Sequence, residues 1–139
     1  FLSASIAHTF SEKLAEAAAK VMNEGTDITV IACGSCVYQA MQAAQMAAAD
    51  AGLKVRVLNM HTIKPLDEEA VMSAIMDTRR IITVEDHTVM GGLGTAVAEV
   101  VAKSGIPARY CLMLCRRPRH GAWTWCCATP PDGCTTRRI

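Results

Sequence analysis

Glu85-Asp86-His87-Thr88-Val89-Met90-Gly91-Gly92-Leu93-Gly94 gathers two acids, an imidazole and three glycines in one short run. Neighbouring carboxylates favour the charged form of an imidazole, so His87 beside Glu85 and Asp86 is a candidate for proton or anion chemistry. Glycine lets the backbone turn sharply and leaves amide N–H groups bare at a helix start, where anions bind. Gly91, Gly92 and Gly94 are placed for that role. The competing reading is a tight turn carrying His87 as a solvated loop residue.

Two further groups have spacing worth testing. Cys33-Gly34-Ser35-Cys36 stands between a strand-like run and a helix-like run, where a helix dipole lowers the pKa of the first thiol of a redox pair. Against that, both cysteines border apolar segments in which free cysteine packs as a small hydrophobe, and neither a flanking Trp nor an intervening Pro is present. In His61-Thr62-Ile63-Lys64-Pro65-Leu66-Asp67, Asp67 is a natural helix cap and Pro65 stiffens the entry, leaving His61 and Lys64 free to face a crevice or a partner. Gly92-Leu93-Gly94 lacks the third glycine of a dinucleotide fingerprint, because Val97 stands there. A small anion or a carboxylate suits that helix start better than a whole dinucleotide.

The elements that must hold these residues alternate in type. Thr9 and Glu12 form a capping box ahead of a helix with Phe10, Leu14, Ala17, Ala18 and Val21 on one face. Residues 28–33 read as a buried strand, and Ser35 then caps a helix with Val37, Ala40, Met41, Ala44 and Ala47 inward, closed by Gly52. A strand over 54–59 puts Val55 and Val57 on one face. The next helix opens on Asp67, Glu68 and Glu69, whose charges suit its positive end. Arg80–Glu85 is a strand, Leu93, Val97, Val100 and Val101 mark a helix face, and 108–114 forms a last strand. This order predicts a mostly parallel sheet with helices on both faces and right-handed crossovers. The loops at 33–36, 59–66 and 86–92 then share the carboxyl edge of the sheet, where open α/β sheets place their ligand crevices.

Of 139 residues, 51% are hydrophobic and the formal net charge is +1. That excludes a strongly basic nucleic-acid surface or a polybasic membrane patch, and no run is long enough to span a bilayer. The opening Phe1-Leu2-Ser3-Ala4-Ser5-Ile6-Ala7 is too short and too poor in base for a signal peptide, which points to a cytoplasmic protein. A first residue other than Met implies that the chain is a part of a longer product. From Cys115 onward the composition shifts to Arg, Pro, Cys and Trp with no amphipathic period. The expectation is an irregular tail over 115–139, either disordered or translated out of frame. Cys111, Cys115, His120, Cys126, Cys127 and Cys134 supply zinc-binding atoms, but their spacing matches no paired Cys-x-x-Cys knuckle, so no metal site is expected.

Glu24-Gly25-Thr26-Asp27-Ile28-Thr29-Val30-Ile31-Ala32-Cys33-Gly34-Ser35, the block from Val57 through His61 and Pro65 to Glu69, Thr83-Val84-Glu85-Asp86-His87, and the block from Gly91 through Gly94 to Glu99 together resemble the carboxy-terminal domain of the transketolase family. The resemblance runs from Val21 to Ala108, within a domain bounded at 20–114, with 1–19 as a divergent amino-terminal segment. It implies a three-layer α/β/α fold whose mixed, mostly parallel sheet begins with an antiparallel strand. The stretch 13–22 is alanine-rich and reads as a helix, so that strand is either short and confined to 20–22 or missing.

The family's function is the transfer of a two-carbon ketol unit between sugar phosphates by thiamine diphosphate and Mg²⁺. The Gly-Asp-Gly segment that holds the diphosphate and metal is absent from this sequence, and so is the activating glutamate. The resemblance therefore assigns the cofactor to other domains and implies an assembly role here, with the cofactor- and pyrimidine-binding domains as partners in a homodimer or heterotetramer. Ser35, His61, Lys64, Glu85, Asp86, His87, Gly91, Gly92 and Gly94 are the candidate anion or interface residues. The alternatives are a thiol oxidoreductase using Cys33 and Cys36, and a small-anion or nucleotide-binding module.

Overall fold

The computed structural model describes residues 18–88, 90–116, 124–127 and 137–138. Four apolar runs form the heart of one sheet: β2 (Ile28–Ala32), β3 (Val55–Asn59), β4 (Arg80–Glu85) and β5 (Arg109–Arg116). They lie in the order β3-β2-β4-β5 and all run parallel. β1 (Lys20–Asn23) pairs antiparallel with β3, with an irregularity between Val21 and Asn23. Beyond β5 the sheet continues antiparallel through β6 (Thr124–Cys127) and β7 (Arg137–Arg138).

Val21 and its neighbours are therefore strand, not the continuation of the expected helix. Alanine-rich sequence favours a helix locally, but pairing to the edge of β3 supplies ladder hydrogen bonds that outweigh a weak propensity. The Asn23 amide donates to the Val55 carbonyl at 2.7 Å and fixes the end of this edge strand. Gly25 follows in a buried turn, where a Cβ would collide with the backbone of Val55 and Arg56. The expected capping box at Thr9 and Glu12 lies outside the described residues, as does most of the stretch expected to be an irregular tail.

Three helices complete the layers: α1 (Cys36–Ala51), α2 (Glu68–Thr78) and α3 (Leu93–Ser104). On one sheet face α1 packs Cys36, Ala40 and Ala44 against Val30, Val55, Val57 and Val84. On the other, α2 and α3 pack Val71, Ile75, Leu93, Val97 and Val100 against Ile31, Leu58 and Ile81. Small alanines on α1 let that helix sit close to the β-branched face. Alternation along β4 thus sends Ile81, Thr83 and Glu85 toward α2 and α3, and Ile82 and Val84 toward α1. Asp67 caps α2 as expected, accepting from the Ala70 amide at 2.9 Å. Its other oxygen accepts from the Ala19 amide at 2.7 Å, which ties the lead into β1 to the start of α2.

Candidate functional site

β2, β3 and β4 all end on one edge of the sheet, and the loops that follow them gather most of the candidate residues. Glu85, the last residue of β4, is only 1% exposed. Its carboxylate accepts from the backbone amides of Leu93 at 2.8 Å and Gly94 at 2.9 Å, one on each oxygen. An internal carboxylate thus occupies the two bare amides at the start of α3, where the macrodipole favours negative charge. A solute anion would have to displace it.

The glycines make this approach possible. A Cβ at Gly92 would collide with the Glu85 carboxylate and the Thr88 carbonyl, and one at Gly94 with the Leu112 side chain. Gly91, at φ 73, turns the chain in the left-handed region. Tyr110, from β5, completes the clamp by donating to the Gly94 carbonyl at 2.6 Å, and its hydroxyl is 2.9 Å from that of Thr83. Burial pushes the Tyr110 phenol up to about 12, against the opposing effect of the Thr83 bond. Sequence reasoning missed both Tyr110 and Thr83. Their signal is an isolated polar side chain in an apolar strand, at the parity that faces α3.

Ser35, Asp86 and His87 meet above this clamp. The Ser35 hydroxyl donates to Asp86 at 2.7 Å across the loops that follow β2 and β4. Ser35 stands at the N-cap position of α1 but makes no side-chain capping bond, because its hydroxyl is committed to Asp86. That corrects the capping role expected from its position. His87 Nδ1 is 2.6 Å from the second Asp86 oxygen, an ion pair when the imidazole is protonated although outside hydrogen-bond geometry. The Ser35 hydrogen bond holds the Asp86 carboxyl below its ordinary range against partial burial, with His87 assisting. The imidazole itself is 80% exposed. Serine and histidine sit on opposite oxygens of one carboxylate, so the trio does not form a nucleophile–base relay.

Cys33 and Cys36 do not form the environment that a redox pair needs. Burial, followed by the charges of Glu85 and Asp86, pushes the Cys33 thiol up to about 11, and Cys36, the first residue of α1, is fully buried. A reactive thiol needs the opposite shift. Lys64, Gly91 and Gly92 share a cleft of about 180 Å³ with Glu68 and Glu99, where two carboxylates to one ammonium disfavour an anion. His61 is exposed, and its ring Nδ1 lies 2.9 Å from the neighbouring Thr62 hydroxyl. Among those residues no three His, Cys, Asp or Glu side chains converge as metal ligands. No helix among them is long and apolar enough to cross a membrane.

Comparison with known proteins accounts for this arrangement of strands and loops. The family described as "Transketolase, C-terminal domain" matches residues 17–123. The chain is 46% identical over 91 residues to an apulose-4-phosphate transketolase subunit of Phocaeicola vulgatus, covering 66% of this chain and 29% of that protein. It is 40% identical over 87 residues to a putative transketolase C-terminal section of Methanocaldococcus jannaschii, covering 63% and 26%. A 1-deoxy-D-xylulose-5-phosphate synthase of Desulfitobacterium hafniense is 42% identical over 88 residues, covering 63% and 14%. Among solved structures, a split-gene transketolase described as an inactive beta4 tetramer superposes with a TM-score of 0.68 at 34% identity, covering 75% of this chain and 34% of that one. The matched region spans less than a third of each of the three sequence relatives. With the antiparallel first strand, the parallel β3-β2-β4-β5 core and the helices on both faces all in place, the chain belongs to the transketolase C-terminal domain family.

Proposed function

We propose that this chain is the carboxy-terminal part of a thiamine-diphosphate-dependent transketolase, inert alone and acting through assembly with the cofactor- and pyrimidine-binding portions. In the complete enzyme the cofactor supplies the carbanion chemistry of two-carbon ketol transfer between sugar phosphates. The described residues do not fit the cofactor's metal. The sequence holds no Gly-Asp-Gly segment, and the described residues offer no cluster of metal ligands.

The observation that carries the reading is the way the loop after β4 is held. Glu85 fastens one end to the amides of α3, while Ser35 fastens Asp86 to the loop after β2. Between these anchors the chain presents Met90, 85% exposed, and the His87 ring. A braced loop that displays an apolar side chain beside an exposed imidazole is suited to docking, since little ordering entropy is lost on contact. Its partner is the remainder of the same enzyme in a multi-subunit assembly. Co-purification with that remainder tests the reading: the parent chain is retained, and Met90→Asp, at a position too exposed to disturb the fold, weakens retention. Equal retention of Met90→Asp and parent would remove this edge from the interface.

A further inference from the structure

The opposite edge of the sheet carries a second feature. There the amino-terminal ends of β2, β4 and β5 line an open cavity of about 590 Å³ whose lining includes the exposed Arg79, Arg80 and Arg109. We propose that this cavity binds the phosphate group of a small soluble phosphate ester.

Three observations carry the assignment. Arg80 and Arg109 are direct partners in the parallel register of β4 and β5, so two like charges face each other on neighbouring strands, an arrangement that destabilises a sheet. Arg79 holds φ 52, the one positive φ at a non-glycine residue among those described. It ends α2 at the position where α1 and α3 carry Gly52 and Gly105, at φ 65 and 64. An arginine thus stands where glycine would be free of strain.

The third observation is the lack of counter-charge. Arg56 pairs with Asp77 at 2.7 Å and lies 3.6 Å from Glu24, whereas Arg79, Arg80 and Arg109 make no side-chain ion pair or hydrogen bond among the described residues. Asp27 borders the cavity, but one of its oxygens already accepts from the Lys54 amide at 2.7 Å. The Asp27 carboxylate and the roughly half charge at the end of α2 together leave an excess of positive charge among the three guanidiniums. Paired guanidiniums match the planar, bidentate geometry that phosphate oxygens accept. Thr26, Pro107 and Ala108 complete the lining, a polar and an apolar surface for the organic part of the ester. A net charge of only +1 and the confinement of the cluster to one cavity favour a small ligand over a nucleic acid.

Titrating the whole chain with inorganic phosphate and with glycerol phosphate, while following the arginine side-chain N–H resonances, tests the site. Saturable shifts are expected, with the ester binding more tightly than inorganic phosphate. Arg80→Gln and Arg109→Gln should each weaken binding about tenfold or more, the loss of one charge-assisted contact. Arg79→Gly gives α2 the ending of the other two helices, so it should keep the fold and still weaken binding. Shifts reproduced by chloride at matched ionic strength, or unchanged affinity in the Arg80→Gln/Arg109→Gln double variant or in Arg79→Gly, would overturn the proposal. Binding to phosphatidic acid vesicles without binding to either soluble probe would overturn it too, by moving the ligand to a membrane surface.

Discussion

Glu85 decides more about the site than any other side chain. A buried carboxylate between two backbone donors is a strong arrangement, and replacing it leaves donors facing a poorer acceptor. Glu85→Gln keeps the size but aims its amide N–H₂ at a backbone N–H, so a loss of roughly 1.5–3 kcal/mol is expected from the denaturation midpoint. Tyr110→Phe removes the donor to Gly94 and should cost about 1 kcal/mol. The raised groups set the alkaline behaviour. Cys33 and Tyr110 hold their protons to about 11 and 12, above their ordinary 9.0 and 10.0, so the unfolded chain ionises first. Stability from both is complete below pH 9 and falls as pH rises toward 12. A denaturation series across that window checks the sign: stability that rises with pH would contradict the burial of both groups. Asp86 acts in the other direction, since its depressed carboxyl contributes stability above the ordinary carboxylate range that is lost as pH falls through its folded value. The sequence shows Glu85, Asp86, His87 and the glycines as a group, but not that the anion at the helix start is Glu85 itself. Intramolecular satisfaction depends on which way β4 faces, and that parity is settled only when α3 packs.

At the scale of elements, β2 to β5 and the three helices are legible because their apolar periods are strong and their ends carry Gly52, Asp67 and Gly92. β1 is not. Its local composition favours helix, and its strand state exists only through β3, a partner more than thirty residues away. Ser35 reads as a cap from position alone, while its hydroxyl is claimed by a loop 51 residues on. Gly25 belongs to the same long-range logic. Its missing side chain lets the turn after β1 pass over the start of β3, and a Cβ there would meet backbone that has no rotamer with which to yield. Gly25→Ala is therefore expected to destabilise by more than about 2 kcal/mol, more than Gly94→Ala, where the obstacle is a repackable leucine. Thermal unfolding of the two variants side by side tests that ordering.

For the whole molecule, the two edges of the sheet divide the labour. The carboxyl edge is internally satisfied and braced: an acid fills the helix start, a serine ties two loops, and the thiols are masked. The amino edge leaves Arg79, Arg80 and Arg109 unpaired among the described residues. Chemistry needs groups that are poised and accessible, and at the carboxyl edge the accessible groups are His87, His61, Lys64 and Met90, which are suited to contact more than to turnover. On this reading activity belongs to the assembly. A ketol-transfer assay with a ketose phosphate, an aldose phosphate, thiamine diphosphate and Mg²⁺ tests that claim most directly. No turnover is predicted for this chain alone, and turnover once the cofactor- and pyrimidine-binding portions are added; measurable ketol transfer by the isolated chain would contradict it.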